Sequence, residues 1–520
     1  MKKRIFILTI ISLLSSQVKV RAFQQEPIIL SQPVIIEEDD WKFEGTENLI
    51  LLPENRNDPQ SRPIALHFFR FPAREKSGLD PVAFLPAGPG EPYSVDVFFK
   101  GKRAEAWRFE LNFVNQKRDV LLINQRGNSS APGLPMSEFR YRWSNGGSLA
   151  RPFDLARMNQ NRREAYQKQI EYYQSKGVDL RGYDILHFVD DVEAIRKALG
   201  YRKLALIGNS FGSQWALAYM RRYPERVDRA LLSGVEPLDN NYDDPEGIWK
   251  VLEKIDGYAQ SDPQIKNDLP PEGLVAAFQT ILRRLEAKPQ KVLLEDEGEE
   301  YSIMIGADDL RFSRMNPKSR SYLDEIESWP KYIHDMYQGD FRVMAEASYG
   351  RIYNSSSLMI NPLVNNSLGI SAEREARINN RSAKKWLGDI NQHYTSTRAI
   401  CPAPKVGDDF RLPQDIDIPV ILIQGDMDLS TPYENATSLR KYLKRGHLLT
   451  VERGFHNAKR ALIFADLALV KKIYAFMNLD FEVVDFQNFK KGLPRRYTLP
   501  RFDFWPLKGK ALFEKYHQED

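Results

Sequence analysis

The residues most able to do chemistry are Gly208-Asn209-Ser210-Phe211-Gly212, a G-x-S-x-G stretch. An apolar strand over 203–208 precedes it. A helical pattern with Trp215, Leu217, Ala218 and Met220 on one side follows. A sharp strand-to-helix turn there forces the serine into a strained backbone and lifts its hydroxyl above the sheet. The flanking glycines are needed because side chains at those positions collide with the strand and the helix. Such a serine is a nucleophile if a base lies beside it.

The base must be one of seven histidines: His67, His187, His334, His393, His447, His456 and His517. Around a turn of this kind the chain order is serine, acid, histidine. The acid follows the apolar strand 419–425, where Asp426 and Asp428 are both candidates. Asp428 is preferred because it lies further from the strand, where a carboxylate can reach across to a histidine. Asp426 is expected to cap the turn. Thr431-Pro432 reads as an N-cap and first helical position. The last expected strand covers 448–451. His447 precedes it and lies at its wrong end, whereas His456 follows it in a loop and is the expected base. His187, on a helix face, reads as a packed or solvated residue.

An attacked carbonyl also needs donors for its developing negative charge. The residue after the nucleophile, Phe211, supplies one backbone N–H. The second is expected from Pro86-Ala87-Gly88-Pro89-Gly90, after an early strand over 81–85. Gly88 is the expected donor, because Pro89 has no N–H.

The elements around these residues alternate between strand and helix. Strands are expected at 48–52, 64–69, 81–85, 118–124, 203–208 and 228–235, and a helix over 183–199 ends at Gly200. This rhythm predicts an α/β core with a mostly parallel sheet covered on both faces. Residues 136–182 are polar and Arg-rich, which suggests an insertion. The rhythm stops over about 238–398, a polar, helix-rich stretch without a strong strand. It resumes at 419–425 and closes with an amphipathic helix over 461–477. The expected organisation is a signal peptide over 1–22, a first core part over 23–237 and a helical cap over 238–398. A second core part over 399–480 and an aromatic, basic extension over 481–520 complete it.

Composition narrows the function. Of 520 residues, 42% are hydrophobic and 28% charged, a globular balance. The one cysteine, Cys401, forms no disulfide within the chain and excludes a zinc site built from several cysteines. Lys2-Lys3-Arg4, the apolar run 5–14 and Val20-Arg21-Ala22 form a secretory signal pattern with cleavage near Ala22. The apolar run is too short to span a bilayer, which needs about 20 residues. Residues 1–22 carry five cations and no acid, so the net charge of +4 becomes −1 without them. A near-neutral mature chain has no general electrostatic footprint for nucleic acid. The expectation is an exported protein, secreted or periplasmic, with no membrane span in its mature form.

The motifs together resemble the proline iminopeptidase and tripeptidyl aminopeptidase family of α/β-hydrolases. That family carries HGGPG or PGGPG in its oxyanion loop, where this chain has Pro86-Ala87-Gly88-Pro89-Gly90. Its D-Q-R-G stretch appears here as Asn124-Gln125-Arg126-Gly127. The elbow and its helix up to Pro224, and the acid loop Asp428 to Pro432, match closely. Ala307-Asp308-Asp309-Leu310 and Trp329-Pro330 are similar to the exported tripeptidyl branch. The resemblance covers most of 42–475. It implies an α/β-hydrolase core interrupted by a helical cap, and an aminopeptidase that acts through an acyl-enzyme on peptides with a free N-terminus. No cofactor or metal is implied. A carboxylester hydrolase could use the same Ser210, Asp428 and His456. An aminopeptidase needs carboxylates for the substrate ammonium. From Glu236 to Trp249 there are five acids and no Lys or Arg. Glu236, nearest the strand end, is the expected amine-binding residue.

Overall fold

The computed structural model describes residues 27–38, 41–95, 101–128, 138–142, 149–296, 299–349, 354–481 and 484–507. The expected signal segment lies outside them. The strands among the described residues are β1 (Ile29–Glu38), β2 (Trp41–Pro53), β3 (Pro63–Phe71), β4 (Val82–Leu85), β5 (Val120–Ile123), β6 (Glu138–Arg142) and β7 (Leu204–Asn209), followed by β8 (Val227–Ser233), β9 (Gln290–Asp296), β10 (Glu299–Ile305), β11 (Asn354–Leu358), β12 (Val420–Gly425), β13 (Gly446–Glu452) and β14 (Arg496–Thr498). Ten of them form one sheet in the order β1-β2-β3-β5-β4-β7-β8-β12-β13-β14. The pairs from β5 to β14 are parallel, and β1, β2 and β3 add antiparallel neighbours at one side. The central strands are short apolar runs, and every residue of β4, β5 and β12 is buried. Such runs have no polar face to offer water, so both faces must be covered.

The helices that cover the sheet and the site are α1 (Gly101–Asn115), α2 (Leu155–Ser175), α3 (Ile185–Ala198), α4 (Phe211–Arg222), α5 (Pro245–Ser261), α6 (Leu274–Ala287), α7 (Tyr322–Tyr337), α8 (Tyr433–Arg440), α9 (Ala458–Ala465), α10 (Leu467–Asn478) and α11 (Phe486–Lys491). One face of the sheet packs on α2, α3, α4 and α8 through Tyr166, Phe188, Trp215 and Leu439. The opposite face packs on α1, α9, α10 and α11 through Leu111, Leu462, Tyr474 and Phe486. A third core gathers α5, α6 and α7 around Trp249, Phe278 and Trp329, and also takes in Met427 and Leu429 of the acid loop. The region between β8 and β12 therefore rests on the loop that carries the expected acid.

Several expectations are corrected. The stretch 238–398 does contain strands: β9 and β10 form a hairpin, and β11 pairs with β6 of the Arg-rich insertion. The two insertions complete each other across long sequence separation, which local periodicity does not register. The strand ending near Val451 is not the last, because β14 of the extension adds a parallel edge to β13. The helix expected over 461–477 is two helices. Asp466 breaks it and accepts the N–H of Leu469 as the cap of the second. Helix α8 begins at Tyr433 with Pro432 before it, so Thr431 is not its N-cap; its hydroxyl is used elsewhere. Strand β1 and helix α1 carried no strong sequence signal and were not expected.

Candidate active site

Ser210 sits between the end of β7 and the start of α4, with φ 57° and ψ −131°. A non-glycine residue at positive φ costs about 1–2 kcal/mol. The neighbouring strand holds it there, since the Ser210 N–H donates to the Ser233 carbonyl at 3.0 Å. The elbow glycines are set by close approach. A Cβ on Gly208 would lie 2.2 Å from the Gly212 carbonyl oxygen, and one on Gly212 would lie 2.2 Å from that of Leu85. Any side chain there must push helix and strand apart.

Asp428 and His456 come together as expected. His456 Nδ1 lies 3.1 and 3.2 Å from the two Asp428 carboxylate oxygens, and both residues are buried. Asp428 also accepts the N–H groups of Ser430 and Thr431 at 2.8 Å each, the Thr431 hydroxyl at 2.8 Å and Gln424 Nε2 at 2.9 Å. Burial by itself disfavours its charge. The nearby His456 and the Thr431 donors outweigh that and hold the carboxyl below its ordinary value. His456 shows the converse balance. Burial disfavours the imidazolium, but the Asp428 carboxylate holds the imidazole above its ordinary value. From α7, Tyr322 lays its ring against His456 at 5.4 Å between centroids, edge to face.

The other carboxylate of that loop has a different task. Asp426 accepts the Arg453 N–H at 2.8 Å and pairs with Lys254 of α5 at 2.8 Å. It thus ties the acid loop to the histidine loop and the cap. Of the two expected alternatives, His187 is packed, not solvated: it is buried and bonded to Asp184 and to the Arg56 N–H. His447 stands at the start of β13, away from the acid.

Ser210, His456, Ala87, Gly88 and Tyr322 line one cavity of about 430 Å³. Phe211 is the first residue of α4, where N–H groups have no partner within the helix. Gly88 has φ 115°, a conformation that favours glycine, at the cavity wall. Its loop is held by a residue to which sequence reasoning assigned no role. Gln125 Oε1 accepts the Gly90 N–H at 2.5 Å, and its Nε2 donates to the carbonyls of Pro86 at 3.2 Å and Ala87 at 2.9 Å. Gln424 is the matching case under the acid: it bonds Asp428, the Thr431 carbonyl and the Val235 N–H. The signal for both was a glutamine at the end of an apolar strand. Asn124 accepts the Tyr93 N–H at 2.5 Å and donates to its carbonyl at 3.0 Å.

Glu236 does not line that cavity. It follows β8, and its N–H donates to Ser213 Oγ at 3.0 Å. Burial, then the negative charges of Asp243 and Asp428, push its carboxyl up to about 8. Burial likewise pushes Asp243 up to about 7. Other acids of that stretch are used internally. Asp239 accepts the N–H and hydroxyl of Ser371, and Asp244 caps α5 and pairs with Arg381. The acidic run is therefore not a solvated face. Among the described residues no group of three or more His, Cys, Asp or Glu is placed to hold a metal ion.

Residues 80–459 match the family model of the alpha/beta hydrolase fold, and the chain belongs to that family. The serine protease Hip1 of Mycobacterium bovis and that of Mycobacterium tuberculosis are each 26% identical to it over 457 residues. The match spans 78% of this chain and 80% of the relative. Among solved structures, a serine hydrolase from the bacterium Cycloclasticus zankles aligns with 87% of this chain and 100% of its own, at 12% identity and a TM-score of 0.33. A meta-cleavage product hydrolase from Pseudomonas fluorescens IP01 aligns over 80% and 94%, at 16% identity and a TM-score of 0.33.

Proposed function

We propose that this alpha/beta hydrolase is an exported serine peptidase that releases residues or short peptides from free peptide N-termini. The observation that carries the chemistry is the Asp428–His456 pair beside the strained Ser210 in one cavity. Ser210 Oγ attacks the substrate carbonyl carbon while His456 Nε2 takes its proton, and Asp428 holds Nδ1–H and steadies the imidazolium. The tetrahedral oxyanion sits between the N–H groups of Phe211 and Gly88. Its collapse breaks the C–N bond, and His456 gives the proton to the leaving amine. Water then attacks the acyl-Ser210 ester, its proton passes to His456, and the acid product leaves with Ser210 restored.

The aminopeptidase reading rests on Glu236 and Asp243, two carboxyls near the base whose charged forms burial disfavours even with Arg374 nearby. An incoming ammonium would draw both into their charged forms and bind by charge-assisted hydrogen bonds. The resemblance to the tripeptidyl branch and the serine protease relatives support a peptide substrate. The signal pattern over 1–22 supports export, with the mature chain beginning near Phe23.

The test is twofold. A fluorophosphonate should label Ser210 and nothing in Ser210→Ala protein. Turnover should then be compared for a free-amine peptide amide, its N-acetylated form and a short acyl ester. Cleavage of the free-amine peptide alone supports the proposal. Equal cleavage of the acetylated peptide overturns the amine site, and turnover of the ester alone makes the protein a carboxylester hydrolase.

A further inference from the structure

We propose that a groove at the far edge of the sheet binds a phosphate-bearing anion. The groove has a volume of about 650 Å³ and lies between the end of α8, the end of α11 and β14. Five cations line it: Arg440, Lys490, Lys491, Arg495 and Arg496. No Asp or Glu lines it. Of these cations, Arg496 forms an ion pair, with Glu452 at 2.8 Å, and Asp485 lies near enough to Lys490 to favour its charge. Arg440 donates a hydrogen bond to the Leu443 carbonyl, and Lys491 donates one to the Asn488 side chain. Among the described residues, no carboxylate comes within ion-pair reach of Arg440, Lys490, Lys491 or Arg495.

Unpaired cations on a convex surface are simply solvated. Here they converge on a concavity, whose low-dielectric walls focus their field. The groups inside register that field. Burial, then Arg440 and Arg495, hold the Lys490 ammonium below its ordinary value. Burial holds the His447 imidazole down as well, with Arg440, Lys490 and Arg495 adding to the effect. His447 Nε2 donates to the Pro494 carbonyl at 2.8 Å. The fold thus gathers more positive charge here than the nearby carboxylates balance.

The chemistry that fits is an oxyanion with more than one charge. Guanidinium forks match phosphate oxygens in pairs, and lysines add point charge. Leu448 of β13 and Leu493 also line the groove and give a carbon frame an apolar surface to lie on, which favours a phosphate ester over free phosphate. The groove shares no lining residue with the cavity at Ser210. The groove runs along β13 from Gly446 to Thr450, whereas His456 lies beyond the end of that strand. The inference does not depend on the peptidase reading. The phosphate could come from a soluble ester or from an anionic lipid headgroup.

The full-length protein is titrated at low ionic strength with pyrophosphate and with glycerol 3-phosphate, against a sodium chloride control of equal ionic strength. It is also sedimented with phosphatidylglycerol and with phosphatidylcholine vesicles. The expected result is saturable binding of one equivalent of a phosphate probe, weakened tenfold or more in the Lys490→Gln, Arg495→Gln double variant. Arg440→Gln alone should weaken binding several-fold, and it decides the matter if the double variant fails to fold. Binding of pyrophosphate or glycerol 3-phosphate assigns a soluble ester. Sedimentation with phosphatidylglycerol alone, reversed by these substitutions, assigns a headgroup. Absence of binding in every arm overturns the proposal, as does binding that the substitutions leave unchanged.

Discussion

At the scale of single residues, the two carboxylates of the acid loop separate by their partners. Asp428 faces His456 Nδ1, whereas Asp426 spends its oxygens on Arg453 and Lys254. Asp428→Asn should lower kcat by about 10³- to 10⁴-fold, because an amide favours the wrong histidine tautomer. Asp426→Asn keeps a hydrogen-bonding group and should cost far less; the reverse ranking in steady-state kinetics would name Asp426 as the acid. Ser210→Ala should remove turnover by more than about a thousandfold with the thermal midpoint unchanged, since its hydroxyl is not part of the core. Glu236 offers a test by stability. In the unfolded chain it ionises near 4.5, while the folded protein keeps its proton up to about 8. Its contribution to stability is full below 4.5 and is lost as pH rises through 8. Glu236→Gln should therefore raise the melting temperature more at pH 8 than at pH 5. In wild type, KM for free-amine peptides should fall between pH 6 and pH 8, as Asp243 and then Glu236 ionise.

At the scale of elements, residues 496–507 of the C-terminal extension form a strap. After β14 joins β13, the Leu499 N–H donates to the Glu452 carbonyl, and the Leu499 carbonyl accepts from Arg453 Nη1 at 2.6 Å. Arg453 has φ 59° and lies three residues before His456, so the strap holds the loop that carries His456. The chain then crosses to α7, where Glu327 accepts the N–H groups of Asp503 and Trp505. Phe502 and Phe504 enter the third core beside Tyr258. Phe502→Ala should destabilise the protein by about 3 kcal/mol in denaturant titrations. The same variant should lower activity if it loosens the strap. An unchanged unfolding midpoint would show that the strap carries no packing energy.

At the scale of the molecule, three cores meet at the site. The two faces of the sheet hold the elbow and the strand ends, and the third core brings Tyr322 and Lys254 to the loops of His456 and Asp428. No helix among the described residues is long and apolar enough to cross a membrane. The proposed export is checked by sequencing the N-terminus of protein recovered outside the cytoplasm, which should begin near Phe23. Full-length protein confined to the cytoplasm would refute it. Without residues 1–22 the charge is −1, so the cationic groove is a local concentration rather than the reflection of a basic protein.

The sequence by itself determined what is local or punctuated. Short apolar runs such as 82–85 and 420–425 can only be strands buried on both faces, and Gly208 and Gly212 mark a turn that other residues cannot make. Chain order along a parallel sheet then brings Ser210, Asp428 and His456 to one edge. Tertiary structure decided what depends on partners distant in the chain. The β6–β11 pair spans two insertions, Gln125 reaches back to the Pro86–Gly90 loop, and Asp426 was committed to Arg453 and Lys254. The burial of Glu236 and Asp243 and the route of the strap belong to the same class. Periodicity reports which face of an element is apolar. A hydrogen bond between residues a hundred positions apart leaves no period, and only the folded geometry reveals it.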